Sequence, residues 1–125
     1  MTQLDRVESL VEGERATAVR HVPHTLQVFE SHFPRFPVLP GVMIIEDLVE
    51  VANLVLGDGP WRLAGASRVR YRHFVRPGDV LRLDVDVTSR SAGTATCTAT
   101  AKVDGRTVTT VRTLSLHRVE TGEFL

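Results

Sequence analysis

Cysteine is almost missing from this chain of 125 residues: Cys97 stands alone. An intrachain disulfide is thereby excluded, and a reducing cytoplasm fits. Long apolar runs are missing too. The longest, Val42–Ile45, falls far short of the ~20 residues that a membrane-spanning helix needs. Met1–Arg6 carries no apolar core and no cleavage pattern, so no signal peptide is expected. Net charge is absent: the formal balance is zero, and aromatic residues make up only 6%. Neither a nucleic acid nor a membrane surface is therefore favoured as a partner. What remains is one soluble-type domain over residues 1–125, long enough for a real core.

The pattern of what is present predicts an α+β fold. Leu4 to Val11 reads as a strand or a short helix, and Glu12-Gly13-Glu14 as a turn. Arg15 to Val22 places Ala16, Ala18 and Val22 on one face, as a strand requires. Val42 to Leu56 holds no Gly or Pro and fits about four helical turns, ended by Gly57-Asp58-Gly59-Pro60. That helix is apolar nearly all round, and such helices are enclosed by other elements. Glu46, Glu50 and Asn53 share one stripe at i, i+4 and i+7. Beyond Trp61, two alternating runs read as half-buried antiparallel strands. One carries Leu81, Leu83, Val85 and Val87; the other carries Ala95, Cys97, Ala99, Ala101 and Val103. Pro77-Gly78-Asp79 and Asp104-Gly105 read as turns between neighbouring strands. The expected architecture is an antiparallel sheet wrapped around one long central helix.

Residues 32–46 concentrate the chemistry. Pro34, Pro37 and Pro40 stiffen the segment and push Phe33, Phe36 and Leu39 to extended conformations. A stiff segment holds His32 at a fixed place relative to the helix start, as a catalytic base requires. Gly41 opens the helix with no Ser, Thr, Asp or Asn at the cap, so first-turn N–H groups lack a side-chain partner. Gly41 also admits close backbone approach, and a helix N-terminus can bind a polarised carbonyl oxygen. Glu46 lies about 7.5 Å further along the axis. In apolar surroundings a carboxyl favours its acid form, so His32 and Glu46 would make a base–acid pair.

This segment resembles the signature of the 3-hydroxyacyl-acyl-carrier-protein dehydratases, roughly His-Phe-Pro-Gly-x-Pro-Val-x-Pro-Gly-Val, three apolar residues and Glu. The spacing of His32 and Glu46 is kept, as are Pro34, Pro37, Val38, Pro40, Gly41 and Val42. Leu4–Val7, Arg70–Asp79 and Ala101–Gly105 are similar to further family segments, so most of the chain is covered. The resemblance implies a hot-dog fold. It implies that His32 removes the α-proton of a 3-hydroxyacyl thioester, that Glu46 helps the hydroxyl leave as water, and that the Gly41 N–H holds the thioester carbonyl. Phe33, Pro40 and Val42 are the expected substrate contacts beside Gly41. It also implies two-chain active sites: a homodimer, or a heterodimer with a related hot-dog subunit, with a trimer of dimers left open. No cofactor or metal is expected, because the phosphopantetheine arm arrives with the acyl carrier protein. Arg35 and Glu50 stand where the family commonly has glycine and glutamine, and the helix that many members place before the first strand is not expected here.

Two rival readings stay open: a hot-dog acyl thioesterase, and a non-catalytic subunit that completes a heterodimer. Arg68, Arg70 and Arg72 at i, i+2 and i+4 read either as a solvated strand face or, with Arg76 and Arg35, as a dock for an acidic carrier protein. His21-x-x-His24 lacks the further ligands that a zinc site needs. Cys97 reads as a small core residue. Phe29, Phe33 and Phe36 read as core or tunnel lining.

Overall fold

The structure is a computed structural model, and it describes residues 4–23 and 38–119. Six strands and one helix follow in the order β1 (Arg6–Val11), β2 (Arg15–His21), α1 (Gly41–Leu56), β3 (Trp61–Tyr71), β4 (Val80–Ser91), β5 (Thr94–Val103) and β6 (Arg106–Arg118). The strands form one antiparallel sheet in the order β1-β2-β4-β5-β6-β3. Leu4 to Val11 thus resolves as strand. Its chain pairs with β2 from Arg6↔Val19 to Val11↔Arg15, with an irregularity at Val7/Ser9.

Alternation decides which face of each strand is buried. Leu81, Leu83 and Val85 of β4 and Ala95, Cys97, Ala99 and Ala101 of β5 turn inward, as expected. On β6, Val111, Leu114 and Leu116 share that face. The helix lays Ile44, Ile45, Leu48, Val51, Ala52 and Val55 over it. Small residues on β2 and β5 let α1 approach the sheet, because an alanine leaves the backbone within reach of a bulky neighbour. A second stripe of α1, including Val42 and Leu54, stays exposed in the single chain. Complete enclosure of the helix is therefore not achieved by this chain's described residues.

One expected connection differs. Asp104-Gly105 is a tight turn, with φ 50° and 77°, between the neighbours β5 and β6. Pro77-Gly78-Asp79 is not a hairpin, because β3 and β4 lie apart in the sheet. It is the corner of a crossover, and it docks on the end of β2: Gly78 N–H donates to Val22 O and Val22 N–H to Asp79 O. Turn chemistry specifies a change of direction, not which strand becomes the neighbour.

The join between α1 and β3 is built by Asn53. Its side chain donates to the carbonyls of Val49 and Trp61 and accepts from the Trp61 N–H. The Trp61 indole donates to Gly57 O, and Arg90 stacks on its ring at 5.3 Å. Gly57 closes the helix at φ 62°, its N–H bonded to Asn53 O.

Leu48 is fully buried at the centre of this packing. Leu48→Ala is expected to lower the unfolding free energy by about 2–5 kcal/mol in urea denaturation. Val42→Ala, at a position 63% exposed, is expected to change it by no more than ~0.5 kcal/mol.

Candidate active site

The start of α1 is held from both sides. Val38 and Leu39 are buried, and Leu39 N–H donates to Val75 O at 2.7 Å. Pro40 takes the cap position at φ −58° without a side-chain hydrogen bond, and the first turn contains no acidic residue. The uncapped N-terminus expected from the sequence is therefore present. On the side where a side chain would stand, however, Gly41 is covered. The ring of Tyr71, at the end of β3, lies across it: a methyl group added at Gly41 would sit 2.5 Å from Tyr71 Cζ and 2.8 Å from its hydroxyl. Any larger residue there would meet the protein's own aromatic ring. Tyr71 is 53% exposed. It therefore forms the visible wall beside the helix end.

Glu46 points away from the sheet and is exposed, so the apolar enclosure expected around it is not supplied by the described residues of one chain. The buried carboxylate is its neighbour. Successive helical residues are turned by about 100°, which sends Asp47 inward. Asp47 and Arg20 of β2 form a buried ion pair, Nη1 to Oδ2 2.5 Å, with both side chains 2% exposed. Burial pushes the Asp47 carboxyl up to about 6, against the hydrogen bond and charge of Arg20 and assisted by Glu50 and Glu46. Removing one partner of such a pair costs roughly 3–5 kcal/mol, because the other charge is left buried alone.

Sequence reading missed this pair, although a signal existed. Arg20 occupies the inward register of β2 between Ala18 and Val22, and Asp47 falls in the buried stripe of Ile44, Leu48 and Val51. Two opposite charges, each at a position that periodicity assigns to the core, call for each other. The expected polar stripe also divides by role: Asn53 is a structural clamp, whereas Glu46 remains at the surface.

The arginines separate onto two surfaces. Arg72 and Arg76 line a cavity of about 530 Å³ together with Tyr71, His73, Phe74 and Arg106. Arg68 and Arg70 line a shallower groove of about 260 Å³ with Arg112, Thr98 and Thr110; Arg72 borders both. The first surface adjoins the helix end through Tyr71, whereas the second lies across β3, β6 and β5. Cys97 is buried, and burial, with Asp86 adding to it, pushes its thiol up to about 11. That suits the core role expected of it. His21 bonds to Asp5 through both backbone N–H and ring. His24, and Phe29, His32, Phe33, Pro34, Arg35, Phe36 and Pro37, lie outside the described residues.

Two outcomes are expected. Gly41→Ala should cost about 1 kcal/mol, at the low end of overpacking because the half-exposed Tyr71 ring can swing aside. Most of that cost should return in Gly41→Ala/Tyr71→Ala, and a double-mutant cycle in urea showing simple additivity would contradict the contact. The second concerns pH. The folded-state pKa of Asp47 is raised from 3.8 to about 6, so the folded chain holds this proton longer than the unfolded one. Its contribution to stability is present below pH ~4 and is lost as pH rises through ~6. Asp47→Asn should therefore lack this part of the stability–pH slope; parallel curves for parent and variant would refute it.

Comparison with known proteins agrees with this picture. The ApeI-like family model, described as ApeI dehydratase, matches residues 8–110. The 3-hydroxyacyl-[acyl-carrier-protein] dehydratase FabZ of Teredinibacter turnerae is 37% identical, over 93% of this chain and 86% of its own. FabZ of Ligilactobacillus salivarius is 40% identical, over 85% and 80%. Among solved structures, the dehydratase heterocomplex ApeI:P from Xenorhabdus doucetiae superposes with a TM-score of 0.77 at 24% identity, covering 94% of this chain and 99% of that one. At that identity the last match speaks for the fold, a helix on a six-stranded antiparallel sheet of the hot-dog type. With the helix start, the outward Glu46 and the sequence relatives taken together, this chain belongs to the 3-hydroxyacyl-[acyl-carrier-protein] dehydratase family.

Proposed function

We propose that this chain removes water from (3R)-3-hydroxyacyl chains carried as thioesters on an acyl carrier protein, giving the trans-2-enoyl thioester for fatty acid or polyketide biosynthesis in the cytoplasm. The observation that carries this reading is the place of Glu46. It stands outward on α1, five residues beyond an uncapped helix start, on a stripe shared with the exposed Val42.

The proposed step is an elimination in which a proton from C2 and the hydroxyl from C3 leave as one water. His32 takes the proton from C2 of the acyl chain. The C2–H electron pair becomes the C2=C3 double bond, and the C3–O bond breaks. Glu46 gives a proton to the departing oxygen, which leaves as water. As C2 loses its proton, charge gathers on the thioester oxygen, and the Gly41 N–H stabilises it with the positive end of the helix dipole behind it. Pro40 and Val42 flank that oxygen, and Phe33 contacts the chain. The protein brings no cofactor; the phosphopantetheine arm is part of the substrate.

A second hot-dog chain completes the site in this proposal, with His32 of one protomer facing Glu46 of its partner. The support is the unfinished surface of the single chain. β3 pairs with β6 alone and forms one edge of the described sheet, and Leu63 on it is exposed. An edge of this length with apolar side chains invites pairing. A second chain over α1 would also enclose Glu46, and with it the reacting thioester. For the carrier, Arg72 and Arg76 with Arg106 are the proposed contacts for the arm's phosphate, because their cavity adjoins Tyr71 and the helix start. Arg68 and Arg70 would meet the acidic protein surface, and Arg35 the mouth of the site.

The test is direct. Purified protein is incubated with carrier-bound 3-hydroxyacyl substrates of several lengths, and mass spectrometry is used to find loss of one water. His32→Ala is expected to abolish the loss and Glu46→Gln to lower kcat by about 10²-fold or more, with the fold kept in both. Full activity in His32→Ala would rule out this assignment. Release of free carrier thiol would instead identify a thioesterase. Activity only after adding a related hot-dog subunit would identify a partner subunit.

A further inference from the structure

We propose that the buried Arg20–Asp47 pair is a positioning device for Glu46: it sets the rotation and height of α1 against the sheet, so that the adjacent carboxyl meets the substrate in one place. This inference rests on the dehydratase reading of Glu46. Asp47 and Glu46 are consecutive in one helical turn, so whatever fixes the first fixes the backbone of the second. Their roles are opposite: Asp47 is pinned to the sheet, and Glu46 is displayed.

Near Glu46 the apolar interface cannot do this alone; the directional bonds of Asn53 with Trp61, of the Gly13 N–H to Val55 O and of Arg90 to Leu56 O hold the other end of α1, about two turns or more away. The buried cluster that α1 shares with β2 and β4 is aliphatic, with Ile44, Leu48, Val51, Ala18, Leu81 and Leu83 among its members. Aliphatic contacts are non-directional, so a small turn or slide of the helix trades one contact for another at little cost. An ion pair at 2.5 Å is directional and has no substitute among those neighbours. Nor does a side-chain cap hold the helix start. The geometry converts small motions into large errors. A carboxyl about 5–6 Å from the helix axis moves by about 1 Å for a 10° rotation, and a misplacement of that size can cost about 10²-fold in rate. Stability does not explain the pair, since a well-packed apolar pair of similar volume is often as stable or more so. β2 places Arg20 in register with Leu81, and a fully apolar face was available there.

The deciding variant is Arg20→Met/Asp47→Leu, assayed beside the parent for water elimination and for urea unfolding. It is expected to unfold at or above the parent's midpoint while kcat falls about 10-fold or more and KM stays within about 3-fold. A parent-like kcat in that variant overturns the inference. Should the double variant fail to fold, Asp47→Glu takes its place. The pair is then kept but lengthened by one methylene, kcat is expected to fall about 10-fold, and Arg20→Lys/Asp47→Glu is expected to recover it to within about 3-fold by restoring the span. Asp47→Glu with unchanged kcat, or a loss that the compensating change does not repair, overturns the inference equally. A parent chain that eliminates no water removes the dehydratase reading and this inference with it; an active parent with an unaffected variant removes the inference alone.

Discussion

The seating of one apolar helix on one face of an antiparallel sheet is the constraint on which every other feature depends. Ile44, Leu48, Val51 and Val55 bury against strands whose inward positions are small or branched. Burial of such side chains is worth roughly 1.5–3 kcal/mol each, and it holds α1 on the sheet without specifying its angle closely. The Arg20–Asp47 pair adds direction at the end of α1 that carries Glu46, as Asn53 does at the end that joins β3. Its cost in desolvation is offset by contact between the charges and not by water, which makes it sensitive to displacement in a way that hydrocarbon is not.

A consequence is that the helix carries two neighbouring carboxyls with opposite fates. Asp47 belongs to the architecture and Glu46 to the surface. Among the described residues, one face of α1 is exposed and β3 forms an edge of the sheet. A single chain offers the helix end, the carboxyl and the Tyr71 wall. The dry surroundings that general acid–base chemistry favours would come from a second surface laid against them.

Much of this was legible from residue order. Alternation in Leu81–Val85 and Ala95–Val103 gave the inward faces of β4 and β5, because the strand period of two leaves little choice once one face is wet. The Gly57–Pro60 breakers marked the end of α1. The lack of a cap at Pro40 and the core role of Cys97 were equally readable. Less legible were features made by residues far apart in sequence. The Pro77–Asp79 turn looked like a hairpin, yet β3 crosses to the far edge of the sheet. Gly41 gave no sign of a neighbour on its side-chain face, but residue 71 covers that face. Arg20 and Asp47 each violated a local apolar pattern, and neither violation reveals its partner when read alone.

Sequence by itself therefore determined most element types, the inward faces of β4 and β5 and, through the His32-to-Glu46 segment, the family to which the chain belongs; β1 stayed open between strand and helix. These are local matters: periodicity, turn chemistry and a short motif act over neighbouring residues, and nothing distant can easily override them. Only the tertiary structure decided which strands adjoin, that Tyr71 roofs the helix start, that the arginines fall on two surfaces, and that Asp47 rather than Glu46 is the buried carboxylate. The physical reason is that burial and pairing are properties of surfaces brought together. A residue's chemistry is written at its own position, but its surroundings are supplied by segments tens of residues away.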